Sequence, residues 1–228
     1  MSGAASSTLQ RLKALVVSLL GRDRANRISA PYHDWRARRR TLRHLAGLPA
    51  ADLRIHVGCG LRPLPGWVNL DRARAPHVDV VWDLRRGLPF GTGSAGAVFA
   101  EHVIEHVSKE EGRAFLVECH RVLQGGGVVR LSTPDTGRYL QSYVADGAFL
   151  RDPRFDAPVE TPLDRINTLM RGHGHLWCYD YPALELLVRQ AGFCEIVQSE
   201  FGESLHPSMS GVDCPERAFE SLYVEARK

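Results

Sequence analysis

Short apolar-rich runs recur along the chain, each closed by a glycine, a proline or an acid. Residues 53–57 (LRIHV) end in Gly58-Cys59-Gly60, and residues 67–70 (WVNL) end in Asp71. Residues 78–82 lead into Asp83-Leu84, residues 97–100 into Glu101-His102, and residues 128–132 into Thr133-Pro134-Asp135. Runs this short, bounded by turn residues and rich in Val, Leu and Ile, read as buried strands of a parallel sheet. Stretches of helical spacing lie between them. Ser108 and Glu111 make a capping box, so a helix begins near Lys109; it runs to about Leu123, with Gly125, Gly126 and Gly127 as its cap. Pro182 and Gly192 bracket another helix over 182–191. Two last runs, near 195–199 and 222–226, predict strands that close the sheet as an antiparallel edge pair. The alternation predicts an α/β fold built on a mostly parallel seven-stranded sheet.

The beginning of the chain and one insertion depart from this pattern. Leu9, Leu12, Leu15, Val16 and Leu19 share a face of a helix predicted over 8–20. A second helix is predicted over 31–47; it starts at Pro31 and carries Arg36, Arg38, Arg39, Arg40 and Arg43. The expected organisation is an N-terminal helical arm, 1–50, and a single domain, 51–228. Residues 136–172 follow no single period, although RYLQSYV suits a helix and RDPRFDAP (151–158) a loop. Residues 136–181 are read as a cap over the edge of the sheet.

Composition agrees with this division. A chain of 228 residues with 44% apolar content supports one core with an appendage. The net charge is only +3, yet residues 1–50 hold ten Lys and Arg against Asp23 and Asp34, which leaves about −5 beyond them. The basic arm suits peripheral contact with an anionic membrane or polymer, or else it is the solvated face of two helices that cap the core. The five cysteines form no C-x-x-C pair, which points to reduced thiols and a cytoplasmic protein. No stretch approaches the roughly 20 apolar residues that span a bilayer. Residues 15–20 are too short for the apolar core of a signal peptide.

Chemistry concentrates between residues 53 and 71. Glycines at 58 and 60 let a ligand approach the backbone closely. An acid at the end of the following strand can accept hydrogen bonds from a ribose diol. Strand, glycine turn, strand and acid make a site for an adenosine-containing cofactor. The ordered set GCG (58–60), Asp71, Asp83 with LPF (88–90), EHVIEHV (101–107), RVLQGGG (121–127) and TP (133–134) resembles the class I S-adenosylmethionine (SAM)-dependent methyltransferases. Within them it is similar to the group around the ubiquinone-pathway enzymes. The resemblance covers about residues 53–135, and 173–200 more loosely.

That resemblance implies a Rossmann-like fold with SAM as cofactor and S-adenosylhomocysteine (SAH) as product. The cofactor-binding positions it implies are Val57, Gly58, Cys59, Gly60, Asp71, Asp83, Leu84 and Glu101, with Asp83 near the adenine amine. Three departures stand out. The link 58–66 is only nine residues long, short for a parallel crossover, and Asp71 follows Gly58 by 13 residues rather than by about 20. His56 replaces the family's acid, and Arg62 replaces its third glycine.

Methyl transfer to a hydroxyl needs a base, and histidine is best matched at neutral pH. His102, His173 and His175 are the candidates, with Glu101 as a further catalytic group; His106 serves as readily to fasten the connection. Trp177 and Tyr179 suit stacking on a sugar or packing in the core. His173 and His175 with Glu101 and Asp135 have the donors for a divalent ion. Magnesium is a poor match to imidazole, however, and the cysteines lack zinc spacing, so no metal is assigned. No basic patch interleaved with aromatics occurs, which argues against nucleic acid. The GCG…GWVNLD form resembles methyltransferases found beside glycosyltransferases in polysaccharide clusters. It implies a small saccharide acceptor, such as a mannose or glucose oligosaccharide of polysaccharide biosynthesis, methylated on a hydroxyl. A small phenol, quinone or polyketide acceptor, and a non-catalytic SAM-binding module, are the alternatives. The sequence leaves a homodimer open.

Overall fold

The computed structural model describes residues 39–204 and 206–228. Five strands run parallel within them: β1 (Leu53–Val57), β2 (Val68–Asp71), β3 (Val80–Val81), β4 (Ala95–Glu101) and β5 (Leu123–Pro134). β6 (Cys194–Ser199) and β7 (Ser221–Arg227) add the antiparallel pair. The order across the sheet is β3-β2-β1-β4-β5-β7-β6, so β7 lies inside and β6 at the edge. The chain leaves β1 in one direction, toward β2, and returns on the other side as β4. Such a reversal opens a crevice at the carboxyl ends of the two strands, where α/β sheets bind ligands.

The chain separates into two compact units, Met1–His44 and Leu45–Lys228, and the whole sheet belongs to the second. The helix expected over 8–20, and residues 31–38 of the next, lie outside the described residues. Residues 39–47 are helical. No helix among the described residues is long and apolar enough to cross a membrane.

Alternation along the strands assigns two faces to the sheet. Ile55, Val57, Val98, Ala100, Val129 and Leu131 pack on one side with two helices, α1 (Lys109–Val122) and α4 (Tyr181–Gln190). Between those helices in sequence come α2 (Thr136–Val144) and α3 (Pro162–Arg171), both in the expected cap. Helix α1 starts as its capping box requires: the Ser108 hydroxyl accepts from the Glu111 amide at 3.2 Å, and the Glu111 carboxylate accepts from the Ser108 amide at 2.9 Å. It buries Phe115, Leu116, Cys119 and Val122. Helix α3 was not expected from the spacing, but Thr161 and Asp164 form a second capping box, with Pro162 in its first turn.

The glycines at 125–127 do not cap α1. The helix stops at Val122, and Leu123 is already extended. Leu123 is fully buried and pairs with Ala95, so core packing draws it into β5 ahead of the glycines. The turn then falls within the strand, where the Gly126 amide donates to the Lys228 carbonyl at 3.0 Å.

Candidate active site

The link after β1 contains no helix, and side chains hold it in place. The Asn69 side chain accepts from the Leu64 amide at 2.8 Å and donates to the Leu64 and Trp67 carbonyls, both at 3.1 Å. Arg62 donates to the carbonyls of Val212 and Asp213 and to Glu101. The turn itself needs glycine. Gly58 has φ +70°, and a Cβ there would lie 2.2 Å from Val103 Cγ2. The Gly58 and Cys59 amides both donate to the Leu70 carbonyl, at 2.8 and 3.1 Å. The Asp71 carboxylate closes the loop, accepting from the Gly60 amide at 2.9 Å and the Ala73 amide at 2.6 Å. A carboxylate has about four acceptor positions, so Asp71 keeps capacity for a diol.

A cavity of about 240 Å³ opens beside this turn, at the carboxyl ends of β1, β2 and β4. Val57, Gly58, Asp71, Asp83 and Leu84 line it together, with His102 and His106 on its far wall. Trp82, Val103 and Val107, which the sequence reading did not single out, supply apolar walls. Trp82 precedes Asp83 in the same run, and that adjacency was the available signal. The apolar slot and the acid at the end of β2 fit an adenosine. Asp83 accepts from the backbone and guanidinium of Arg85, whose hydrogen bond holds the carboxyl below its usual range.

Three of the expected cofactor residues stand apart from this lining. Cys59 is buried at 2% exposure, and burial pushes its thiol up to about 12. Gly60 faces solvent and gives its amide to Asp71. Glu101 accepts from Arg62 at 3.0 Å and from the Cys214 amide at 2.8 Å, and burial pushes its carboxyl up. Arg62, standing where the family has glycine, thus engages Glu101. His56 is buried on the opposite face from α1. It lies against Phe99 and beside Asn69 Oδ1, and burial lowers it to about 4, so it is neutral.

A second, larger cavity of about 700 Å³ lies beyond His102 and His106, and these two residues line both spaces. Its walls come largely from the cap: Phe155, Arg154 and Arg165 on one side, His173 and His175 on another, and Phe219 opposite. His102 has φ +50° and sits directly after β4, with Nε2 at 2.7 Å from Ser221 Oγ and Nδ1 at 3.3 Å from Glu105 Oε1. Glu105 is only 1% exposed. Burial pushes its carboxyl up, but the hydrogen bond and charge of His102 outweigh burial and hold it below the usual range. His175 Nδ1 lies 2.6 Å from the Leu169 carbonyl. A carbonyl only accepts, so Nδ1 carries the proton and Nε2 keeps a lone pair. Burial lowers the His175 imidazole, which keeps it neutral. His173 is exposed, with φ +55° and its ring 5.8 Å from that of His175. Trp177 is exposed under the Lys109 ammonium, and Tyr179 is buried in the core. Asp135 caps α2 through the Arg138 amide.

Residues 46–131 match the model of a methyltransferase domain family, Methyltransf_11. No curated protein sequence matches the chain. Solved structures similar to it include a SAM-dependent methyltransferase of Thermotoga maritima, described as a possible histamine N-methyltransferase. That protein is 20% identical over 89% of this chain and 97% of its own, with a TM-score of 0.48. A SAM-dependent methyltransferase of Mesorhizobium loti is 19% identical over 81% of this chain and 95% of its own, TM-score 0.45. One of Archaeoglobus fulgidus is 15% identical over 83% and 90%, TM-score 0.46. The stretch that matches the methyltransferase domain model, 46–131, holds the glycine turn and the acid of β2 that closes it.

Proposed function

We propose that the protein transfers a methyl group from SAM to a hydroxyl of a saccharide acceptor, with His102 as the base. The observation that carries this reading is the wall shared by the two cavities. His102 lines both the adenosine-sized space and the larger one, where donor and acceptor have to meet. Bound SAM supplies an activated methyl on a sulfonium. The chain's part is to align the acceptor oxygen with that methyl and to remove its proton, and alignment alone can be worth several kcal/mol. Asp71 takes the ribose hydroxyls, and Val57, Gly58, Asp83 and Leu84 enclose the adenosine.

In this reading Glu105 holds the Nδ1 proton of His102 and balances the charge the ring acquires. Ser221 Oγ lies 2.7 Å from Nε2, and with its single proton turned to the Arg217 carbonyl at 2.8 Å it leaves Nε2 to take the proton of an acceptor hydroxyl. The acceptor cavity favours a polyhydroxylated guest: Arg154, Arg165, Asp156 and the histidines offer hydrogen bonds, and Phe155 and Phe219 offer ring faces. The role in polysaccharide biosynthesis rests on the sequence resemblance.

Calorimetric titration with SAH, alone and with short mannosides and glucosides, tests both halves. Micromolar SAH affinity, tightened by one saccharide, is the expected result, with labelled methyl appearing on that saccharide when SAM is supplied. Asp71→Ala weakens SAH at least tenfold, about 1.4 kcal/mol. SAH binding that no saccharide alters, with no methyl transferred to any of them, rejects the saccharide and leaves the cofactor site standing.

A further inference from the structure

Glu105, His106 and His175 bring one carboxylate oxygen and two imidazole nitrogens together, with all three donor atoms within 4.8 Å of one another. We propose that this cluster binds a divalent first-row transition ion at the floor of the acceptor cavity. The inference goes beyond the methyl-transfer reading and holds whatever the acceptor is.

Each donor is prepared for a cation. His175 is fixed by its Nδ1–H on the Leu169 carbonyl, so Nε2 is free. An outer hydrogen bond of this kind orients metal-bound histidines and sets their tautomer. His106 makes no hydrogen bond through its ring among the described residues; its ring lies 4.9 Å from that of His175 at an interplanar angle of 71°. Glu105 Oε2 accepts from Thr133 at 3.2 Å. Oε1 is buried, with His102 Nδ1 3.3 Å away. A carboxylate oxygen has two lone pairs, so Glu105 can ligate and still orient His102.

The donor set selects the ion. Imidazole with carboxylate suits zinc, cobalt, nickel or iron, whereas magnesium and calcium prefer all-oxygen shells. Zinc bonds of about 2.1 Å place tetrahedral ligands about 3.4 Å apart, so donors within 4.8 Å of one another have to close by at most about 1.4 Å. His106 lies exposed at the end of a 3₁₀ turn and can supply that movement by rotation of its side chain. Three protein ligands leave a position open toward the cavity, where an acceptor oxygen can bind. An ion there draws the acceptor proton toward release, next to His102.

Metal-stripped full-length protein titrated with cobalt(II) tests the site by its visible absorption, with no turnover needed. One equivalent of cobalt with d–d bands, displaced by zinc, is expected. His106→Ala and His175→Ala should each weaken cobalt at least tenfold while keeping the parent's circular dichroism spectrum and urea unfolding midpoint, which shows that they fold. His120→Ala, on α1 against Phe193, should leave the cobalt spectrum unchanged. Absence of a stoichiometric complex overturns the proposal, as does cobalt affinity unchanged in both cluster variants. An equal loss in His120→Ala marks scattered surface binding and overturns it too. Failure of SAH to bind the parent protein speaks against the cofactor reading; the cobalt result then stands by itself, with circular dichroism reporting whether the variants fold.

Discussion

On one face of the sheet, Val98, Ala100, Val129 and Leu131 meet Phe115, Leu116 and Val122 of α1 and Leu184 and Leu187 of α4. One residue further along the same strands, the side chains turn to a face with different chemistry. There Phe99 and Trp67 share the interior with neutral His56, and Arg130 is fully buried between two carboxylates. Its guanidinium donates to both oxygens of Asp213 at 2.7 and 2.6 Å, to Glu225 at 2.7 Å and to Ser199 at 2.9 Å, and backbone carbonyls of Glu200 and Glu203 take the rest. The contrast teaches where specificity and vulnerability lie. The helix-covered face gains by area and loses gradually. The ionic face is stable only while every partner is present, because a buried charge left alone costs more than its pair ever contributed.

The largest expected effect comes from breaking that network. Arg130→Ala leaves Asp213 buried without the guanidinium that holds both its oxygens and should cost about 4 kcal/mol in urea unfolding. A loss under about 1 kcal/mol would show that water reaches Asp213. Leu116→Ala on the other face should cost about 3 kcal/mol, set by lost contacts and by the void it leaves. Its size should not change between pH 5 and pH 8.

Acid should distinguish the faces next. His56 is held near 4 by burial, against 6.5 in the unfolded chain. Between those values the unfolded state binds a proton that the folded state refuses. Stability is therefore full above about pH 7 and falls as pH drops toward 4, by about 3 kcal/mol in all. His56→Gln should flatten that slope in unfolding measured at stepped pH; a slope unchanged by the substitution would place the titrating group elsewhere.

Much of the helix-covered face was legible in advance, because burial follows from periodicity and the start of α1 from a capping box. The mostly parallel sheet with its closing antiparallel pair followed from the succession of runs, and the glycine turn from the residues that end the first of them. The ionic face was not legible. Arg130 reads as an outward strand position, and its partners are 83 and 95 residues away, on elements whose pairing is set by tertiary contacts. The same holds at the site. Glu105 could be named only as one of two acids in EHVIEHV, and what sets it apart from Glu101 is that Arg62 and the Cys214 amide engage Glu101. Helix α3 carried its own signal in Thr161, Pro162 and Asp164, hidden by the irregular spacing around it.

His102 and His106 belong to two cavities at once, and this has a thermodynamic consequence. A wall common to donor and acceptor sites cannot adjust to one guest without changing the free energy of the other. Linkage then demands symmetry: whatever factor an acceptor adds to the affinity for SAH, SAH adds to the affinity for that acceptor. In the proposed reading, acceptor choice and cofactor retention are a single coupled quantity. Substitutions at those two histidines should change it in both directions by the same ratio.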